Sequence, residues 1–276
     1  MTPSVSSEPT SNPRSGWPAR VGRYLWGGWT GAASVLLLVA VWDLLARQLG
    51  PLVLPTPMET LGSLGQIMHS SDALADLGIT ARRTLAGYSL ALVAGAGLGM
   101  AAGASLTSTM MARPLMTLLL GTPPIAWLVL ALLWFGATDA TPIFTVFVAC
   151  FPIVCVGALQ GTRTLDGRMK ELAQAYRLSP WQRFSDIYLP HIASYLFAAA
   201  ITALGVSWKV ALMAELLATS DGAGAQLAAT RSHLDMAGTL AWVTAVVGLL
   251  LLAEYLVLEP IRRTMERWRA ETETRS

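Results

Sequence analysis

The sequence predicts an all-α membrane protein with six transmembrane helices, and three observations carry that reading. Hydrophobic residues make up 54% of the 276-residue chain and charged residues only 13%, about half the charged share of an ordinary soluble domain. Apolar runs of about 20 residues, enough to cross ~30 Å of hydrocarbon, recur along the chain. Basic residues, finally, crowd onto alternate connecting segments. A net charge of +2 offers no basic field to hold nucleic acid. The abundance of apolar residues excludes a disordered chain, and the absence of a short repeat excludes collagen and coiled coils.

Residues 1–23, rich in Ser, Pro, Thr and Gly, read as a disordered tail with no apolar signal core. The first span runs from Tyr24 to Leu45. The proline-broken stretch Leu49–Pro57 cannot span and leads into an amphipathic helix over Met58–Met68. A second span follows Arg82 and Arg83 and reaches Leu106. The third runs from Pro114 to Gly136, the fourth from Thr141 to Gln160, and the fifth from His191 to Leu217. The sixth covers Gly238 to Leu258, interrupted late by Glu254. Residues 24–260 thus form one six-helix membrane domain, and residues 261–276 form a second tail.

With the N-terminus inside, the inner segments hold fourteen Lys and Arg residues and the outer segments four, Arg47, Arg82, Arg83 and Arg231. The positive-inside rule then places both termini in the cytoplasm. Cys150 and Cys155 are five residues apart on one helix, too far to bridge, and read as small buried apolar residues.

Within the spans a few residues stand out. Gly87, Ala91, Gly95, Gly99 and Gly103 form a stripe of small residues that lets another backbone approach closely. Gly95, Gly99 and Gly103 are two overlapping G-x-x-x-G units. They suit contact with a helix of the same chain, with a dimer seam as the second choice. Pro123 and Pro124 interrupt the third span beside Trp127, and Pro152 interrupts the fourth. Such bends are either plain kinks or the lining of a path. Lys209 is an ionisable group inside a span, so it faces a polar pathway, snorkels outward or meets a carboxylate. Glu215, six residues on, lies on nearly the opposite face.

The segment from Leu165 to Pro190 is amphipathic. Asp166 is an expected N-cap for a helix to about Tyr176, and Ser179 with Pro180 and Gln182 gives a capping box for a second. Two short helices meeting at a turn suit docking of a soluble partner.

Glu171-Leu172-Ala173, followed by Ile187 and Leu189-Pro190, resembles the EAA loop of ATP-binding-cassette importer permeases. Other pieces resemble the nitrate/sulfonate/taurine type: Leu54-Pro55-Thr56-Pro57, Arg82-Arg83-Thr84-Leu85-Ala86-Gly87, Pro123-Pro124-Ile125-Ala126-Trp127, Leu133-Trp134-Phe135-Gly136, Trp181-Gln182-Arg183-Phe184, and Trp208 with Ala214-Glu215-Leu216. The chain departs from the family at Arg177, where a glycine is usual, and at Gly222-Ala223-Gly224-Ala225, which lacks the usual tyrosine. If Arg177 is left-handed, arginine costs about 1–2 kcal/mol there.

The resemblance implies a type I importer permease of MetI-like architecture in the bacterial inner membrane, normally a homodimer. An ATP-hydrolysing subunit would grip the loop at Glu171, Leu172, Ala173, Tyr176, Arg177 and Trp181. A periplasmic or lipid-tethered solute-binding protein would deliver a small solute, an anion such as nitrate, a sulfonate or taurine. Pro123, Pro124, Trp127, Trp208, Lys209 and Glu215 are the candidate path residues, with Lys209, Arg82 and Arg83 favouring an anion. No cofactor is expected on this chain, and ATP belongs to the partner: neither Lys170 nor Lys209 sits in a P-loop. The other classes fit poorly. An ion-coupled transporter wants mid-membrane acids and repeated halves, and an intramembrane enzyme built on Ser89 lacks a base. His69, His191 and His233 make no H-E-x-x-H zinc pair. Neither a catalytic set nor a metal site is expected.

Overall fold

The computed structural model describes residues 17–165 and 175–255, and their regular structure is helical throughout. The chain divides after Glu59 into two compact units. In the first, α1 (Trp17–Leu49) encloses the expected first span. The indole of Trp42 donates to the Pro55 carbonyl at 2.9 Å, fastening the proline-rich turn that follows. Thr56 and Glu59 form a capping box at the start of α2 (Pro57–His69): the Thr56 N–H donates to Glu59 Oε2 at 2.8 Å, and the Glu59 N–H to Thr56 Oγ1 at 3.3 Å.

The second unit contains α3 (Ser71–Gly103), α4 (Leu106–Gly121), α5 (Pro124–Phe135), α6 (Ala140–Arg163), a short α7 (Pro180–Arg183), α8 (Leu189–Ala218), α9 (Ala223–Ser232) and α10 (Met236–Ala253). Hydroxyl and carboxylate caps set three of the starts. Ser70 Oγ accepts from the Ala73 N–H, Ser105 Oγ from the Ser108 N–H, and Asp235 Oδ1 from the Gly238 N–H. Four stretches of this unit are long and apolar enough to cross a membrane: α3, α6, α8 with its lead-in, and α10.

The expected third span is not one helix. Pro114 lies inside α4, and α4 and α5 meet at 88°. Pro124 pushes the residue before it out of the helical region, and Pro123 accordingly sits extended at φ −58°, ψ 138°. Pro124 then starts α5 from its first turn, where a missing N–H costs nothing.

Helix directions show what the broken pair does. A Cβ on Gly87 would meet Val146, one on Gly95 would meet Val154 at 2.8 Å, one on Gly99 Ala158 at 2.8 Å and one on Gly103 Thr162 at 2.6 Å. Residue numbers rise together on both helices, so α3 and α6 run parallel. The α4–α5 pair must therefore carry the chain back across between them. In contrast, Tyr88 OH donates to the Ala200 carbonyl at 3.2 Å, and Cys150 Sγ to that of Ala203 at 3.3 Å. A Cβ on Gly157 would touch Ala199, and one on Gly161 would touch Ile192. α8 thus runs antiparallel to both α3 and α6. The expected G-x-x-x-G stripe is the α3–α6 seam within one chain.

The loop after α6 also differs from expectation. Asp166 and Glu171, Leu172 and Ala173 lie outside the described residues. Ser179 and Gln182 do form their capping box, at 3.0 and 3.3 Å. The second loop helix is not separate, however. From Trp181 the chain stays helical to Ala218, through a π-helical turn at Phe184–Tyr188. Pro190 has no N–H to continue a regular ladder, and the wider turn just before it absorbs the misfit.

Replacing Gly95 by Leu should destabilise the fold by about 1–3 kcal/mol or more through overpacking against Val154. Gly97→Leu, where a Cβ meets nothing within 4 Å, should be near neutral. Thermal unfolding in detergent, followed by tryptophan fluorescence, checks the contrast.

Candidate functional site

At one end of the second unit, where α3 and α6 begin and α8 ends, a buried arginine gathers three acids. Arg83 is 2% exposed. Its Nε donates to Asp139 Oδ1 at 2.8 Å, one Nη to Glu215 Oε1 at 3.1 Å and the Asp221 carbonyl at 3.0 Å, and the other Nη to Asp221 Oδ1 at 2.7 Å and to Asp139. Guanidinium has five N–H donors, and each finds an acceptor here. Arg82, more exposed, pairs with the second oxygen of Asp139.

Glu215 is wholly buried. Besides Arg83 it accepts from Thr80 Oγ1 at 2.7 Å and from the Gly224 N–H at 3.1 Å. Thr80 Oγ1 in turn accepts from the Ala223 N–H, and Asp76 accepts from the Gly222 N–H and the Gln226 amide, all at 2.8 Å. Gly222 has φ +93°, and a Cβ there would lie 2.7 Å from Glu215 Oε1; one on Gly224 would run into the Glu215 Cβ. Gly222 thus leaves the space into which the carboxylate fits, and Gly224 lets the start of α9 lie against the α8 backbone. Glu215, which the sequence places on the path with Lys209, is instead enclosed in this knot. Arg83, read from sequence as one of the groups favouring an anion, has spent its donors on carboxylates. Asp76, Thr80, Asp139 and Asp221 escape sequence reasoning. The available signal was that a twin arginine at a span end needs acids, and three lie near predicted span ends.

The hydrogen bond from Arg83, working against partial burial, holds the Asp139 carboxyl below the usual range, helped by the charges of Arg83 and Arg82. A depressed carboxyl stabilises the fold above its unfolded value of about 3.9, and that contribution fades only as pH falls through the lower folded value. At neutral pH this pair is fully charged.

The remaining candidates scatter. Pro123 and Pro124 form the α4–α5 break. The adjacent Trp127 and the buried Trp208 each carry a buried indole N–H with no hydrogen-bond partner among the described residues. On the loop, Tyr176 and Trp181 are 73% and 75% exposed. Arg177 between them is left-handed at φ +52°, as the usual glycine would be.

Lys209 projects from α8 with no ion pair among the described residues. Its surroundings are informative. Between the two ends of α8 the exposed positions are Ala198, Thr202 and Lys209. Exposed large apolar residues on α8 are Leu189 and Leu217, near its ends. By contrast α5 exposes Val129, Leu130 and Leu133 among others, and α10 exposes Val247, Leu251 and Leu252. A face turned to lipid carries such side chains; the open face of α8 does not.

Removing one partner of a buried ion pair leaves the other uncompensated, typically at 3–5 kcal/mol. Arg83→Met should therefore lower thermal stability severely. Adding Glu215→Met should restore part of it, because the one acid with no access to water is then gone, while Asp139 and Asp221 are about half exposed. Melting temperatures of the two single variants and the double variant decide this.

Residues 91–268 match the family described as binding-protein-dependent transport system inner membrane component. The chain is 27% identical over 249 residues to a taurine transport system permease protein of Escherichia coli, covering 88% of this chain and 90% of that one. It is 25% identical over 252 residues, 90% of each chain, to a Bacillus subtilis protein named as an aliphatic sulfonates transport permease. It is 28% identical over 203 residues to a nitrate import permease protein of Synechocystis, covering 70% of this chain and 73% of that one. With its helical membrane fold and ordered motifs, the chain belongs to the binding-protein-dependent transport permeases, as a transmembrane subunit of a nitrate/sulfonate/taurine-type ATP-binding-cassette importer.

Proposed function

We propose that this permease carries a small oxyanion, nitrate or a short sulfonate such as taurine, inward across the bacterial inner membrane along the open face of α8. The observation that supports it most is the run of Ala198, Thr202 and Lys209 on that face. A lysine inside a span is costly in hydrocarbon. On a face whose fully exposed positions between the helix ends carry no large apolar side chain it is solvated by a polar path, and its charge draws an anion. The names of the relatives agree with that class of solute.

In this reading the chain pairs with a second copy of itself, and the two α8 faces border one path. The Arg83 knot lies on the outer side, where a solute-binding protein delivers its load. The loop between α6 and α8 lies on the inner side, as the excess of basic residues there suggests. A separate ATPase subunit grips it through Glu171, Leu172 and Ala173 and the exposed Tyr176, Arg177 and Trp181. Closure of the ATPase dimer on ATP moves the loop, and α7 and α8 carry the motion into the path, which alternates its access.

Lys209→Met should reduce anion uptake by tenfold or more, about 1.4 kcal/mol of lost attraction, with assembly and ATP hydrolysis retained; Lys209→Arg should keep most uptake. Unchanged uptake in the Met variant would remove the lysine from the path. Replacing Tyr176 and Trp181 together by Ala should release the ATPase subunit without lowering the melting temperature, as read by co-purification.

A further inference from the structure

We propose that a groove between α6 and α8, toward the loop end, is an intramembrane binding station for a small organic oxyanion. The proposal rests on the reading of the α8 face as the path, and adds to it a site and a shape of ligand. The groove is open along one side and offers about 590 Å³, within the range of pockets that hold small ligands. Its two walls differ. α8 supplies His191, Ser194, Tyr195 and Thr202; α6 supplies Ile153 and Val156, with Gln160 at the loop end.

Gly157, where the two helices come close, lines the groove, and polar groups border it. Thr164 Oγ1 and His191 Nε2 lie 3.1 Å apart, holding the imidazole, whose ring lies tilted against that of Tyr195 with centroids 5.4 Å apart. The side chains of Gln160 and Ser194 and the Tyr195 hydroxyl make no hydrogen bond among the described residues, so their donors are open to a ligand. Each would otherwise leave a polar group poorly served inside a membrane span.

The chemistry of the lining selects the ligand. Among the described residues no carboxylate lines the groove, so a cation finds no opposite charge from them. Hydroxyl and imidazole groups from α8 and the Gln160 amide from α6 border the groove, which suits a compact head bearing several acceptor oxygens. Ile153 and Val156 opposite offer an apolar seat for a short alkyl tail. Lys209 sits seven residues beyond Thr202, about 10 Å along the same helix face. It is near enough to attract the anion and too far to clamp it. Holding by neutral donors alone keeps the station weak, as transport requires.

The test uses the complete transporter, this chain with its ATPase and binding protein, in phosphatidylcholine nanodiscs. Ala198, exposed on the groove, is replaced by Cys; Cys150 and Cys155 are buried and serve as the silent background. Ethanesulfonate at ten times its Kd should slow maleimide alkylation of that cysteine roughly tenfold. Adding Gln160→Leu with Ser194→Ala should abolish the protection, with ATPase co-purification retained. Absence of protection in a complex that still hydrolyses ATP would overturn the station and leave the permease reading intact. Protection by phosphatidylglycerol in the nanodisc, with none by ethanesulfonate, would overturn it in favour of a lipid head group. Failure of the unsubstituted chain to co-purify with the ATPase would overturn the permease reading and the station together.

Discussion

A guanidinium cannot be left unserved beneath a membrane surface, and that constraint organises one whole end of this protein. Arg83 draws in Asp139 from the turn between α5 and α6, Glu215 from α8 and Asp221 from the turn before α9. Four separate stretches of chain are pinned by one side chain. Glu215, enclosed by that grouping, needs its second oxygen satisfied as well, and Thr80 and the Gly224 N–H supply it. Gly222 follows from the same need, since a side chain there would occupy the carboxylate's place, and Gly224 from the close approach of the chain to the α8 backbone. Residues far apart in sequence are thus one device, and their spacing makes sense only in its terms.

Along the spans the governing physics changes from charge to contact. Lipid gives helices no hydrophobic reason to associate, so close approach must supply the attraction. Glycines on α3 meet Val146, Val154, Ala158 and Thr162 of α6, and Gly157 and Gly161 of α6 meet α8. α6 is consequently the helix most buried among the membrane-crossing ones, with both its neighbours seated on small residues. The α4–α5 pair is the exception, folded at its two prolines and packed through Leu128 onto Ala214 and Ala218 of α8.

Much of this was legible in the sequence. Long apolar runs fixed the class, the glycine stripe named a packing seam, and Ser179 with Gln182 announced a helix start. What could not be read has identifiable causes. The double proline predicted a bend, but an 88° fold depends on how α5 packs on its neighbours. The start of α8 was obscured because Pro190 reads as a helix boundary, whereas a π turn carries the helix past it. Glu215 and Lys209 look alike in sequence, two charges in one span. Only the three-dimensional arrangement shows that one is enclosed by partners and the other is open. The polarity of the α6–α8 groove was hidden because Gln160, Ser194 and Thr202 are individually unremarkable residues that become a group only when two helices cross.

The unbroken helical run from Trp181 to Ala218 has a mechanical corollary. From Trp181 to Glu215 it measures about 50 Å at 1.5 Å per residue, and its far end is fastened by Arg83. Such a rod behaves as a lever with a fixed fulcrum. A tilt of about 5° would sweep the Trp181 end through roughly 4 Å while Glu215 scarcely moved, and positions between would travel in proportion to their distance from the fulcrum. Under the proposed coupling, gradation of that sort would widen the groove near His191 far more than the neighbourhood of Lys209.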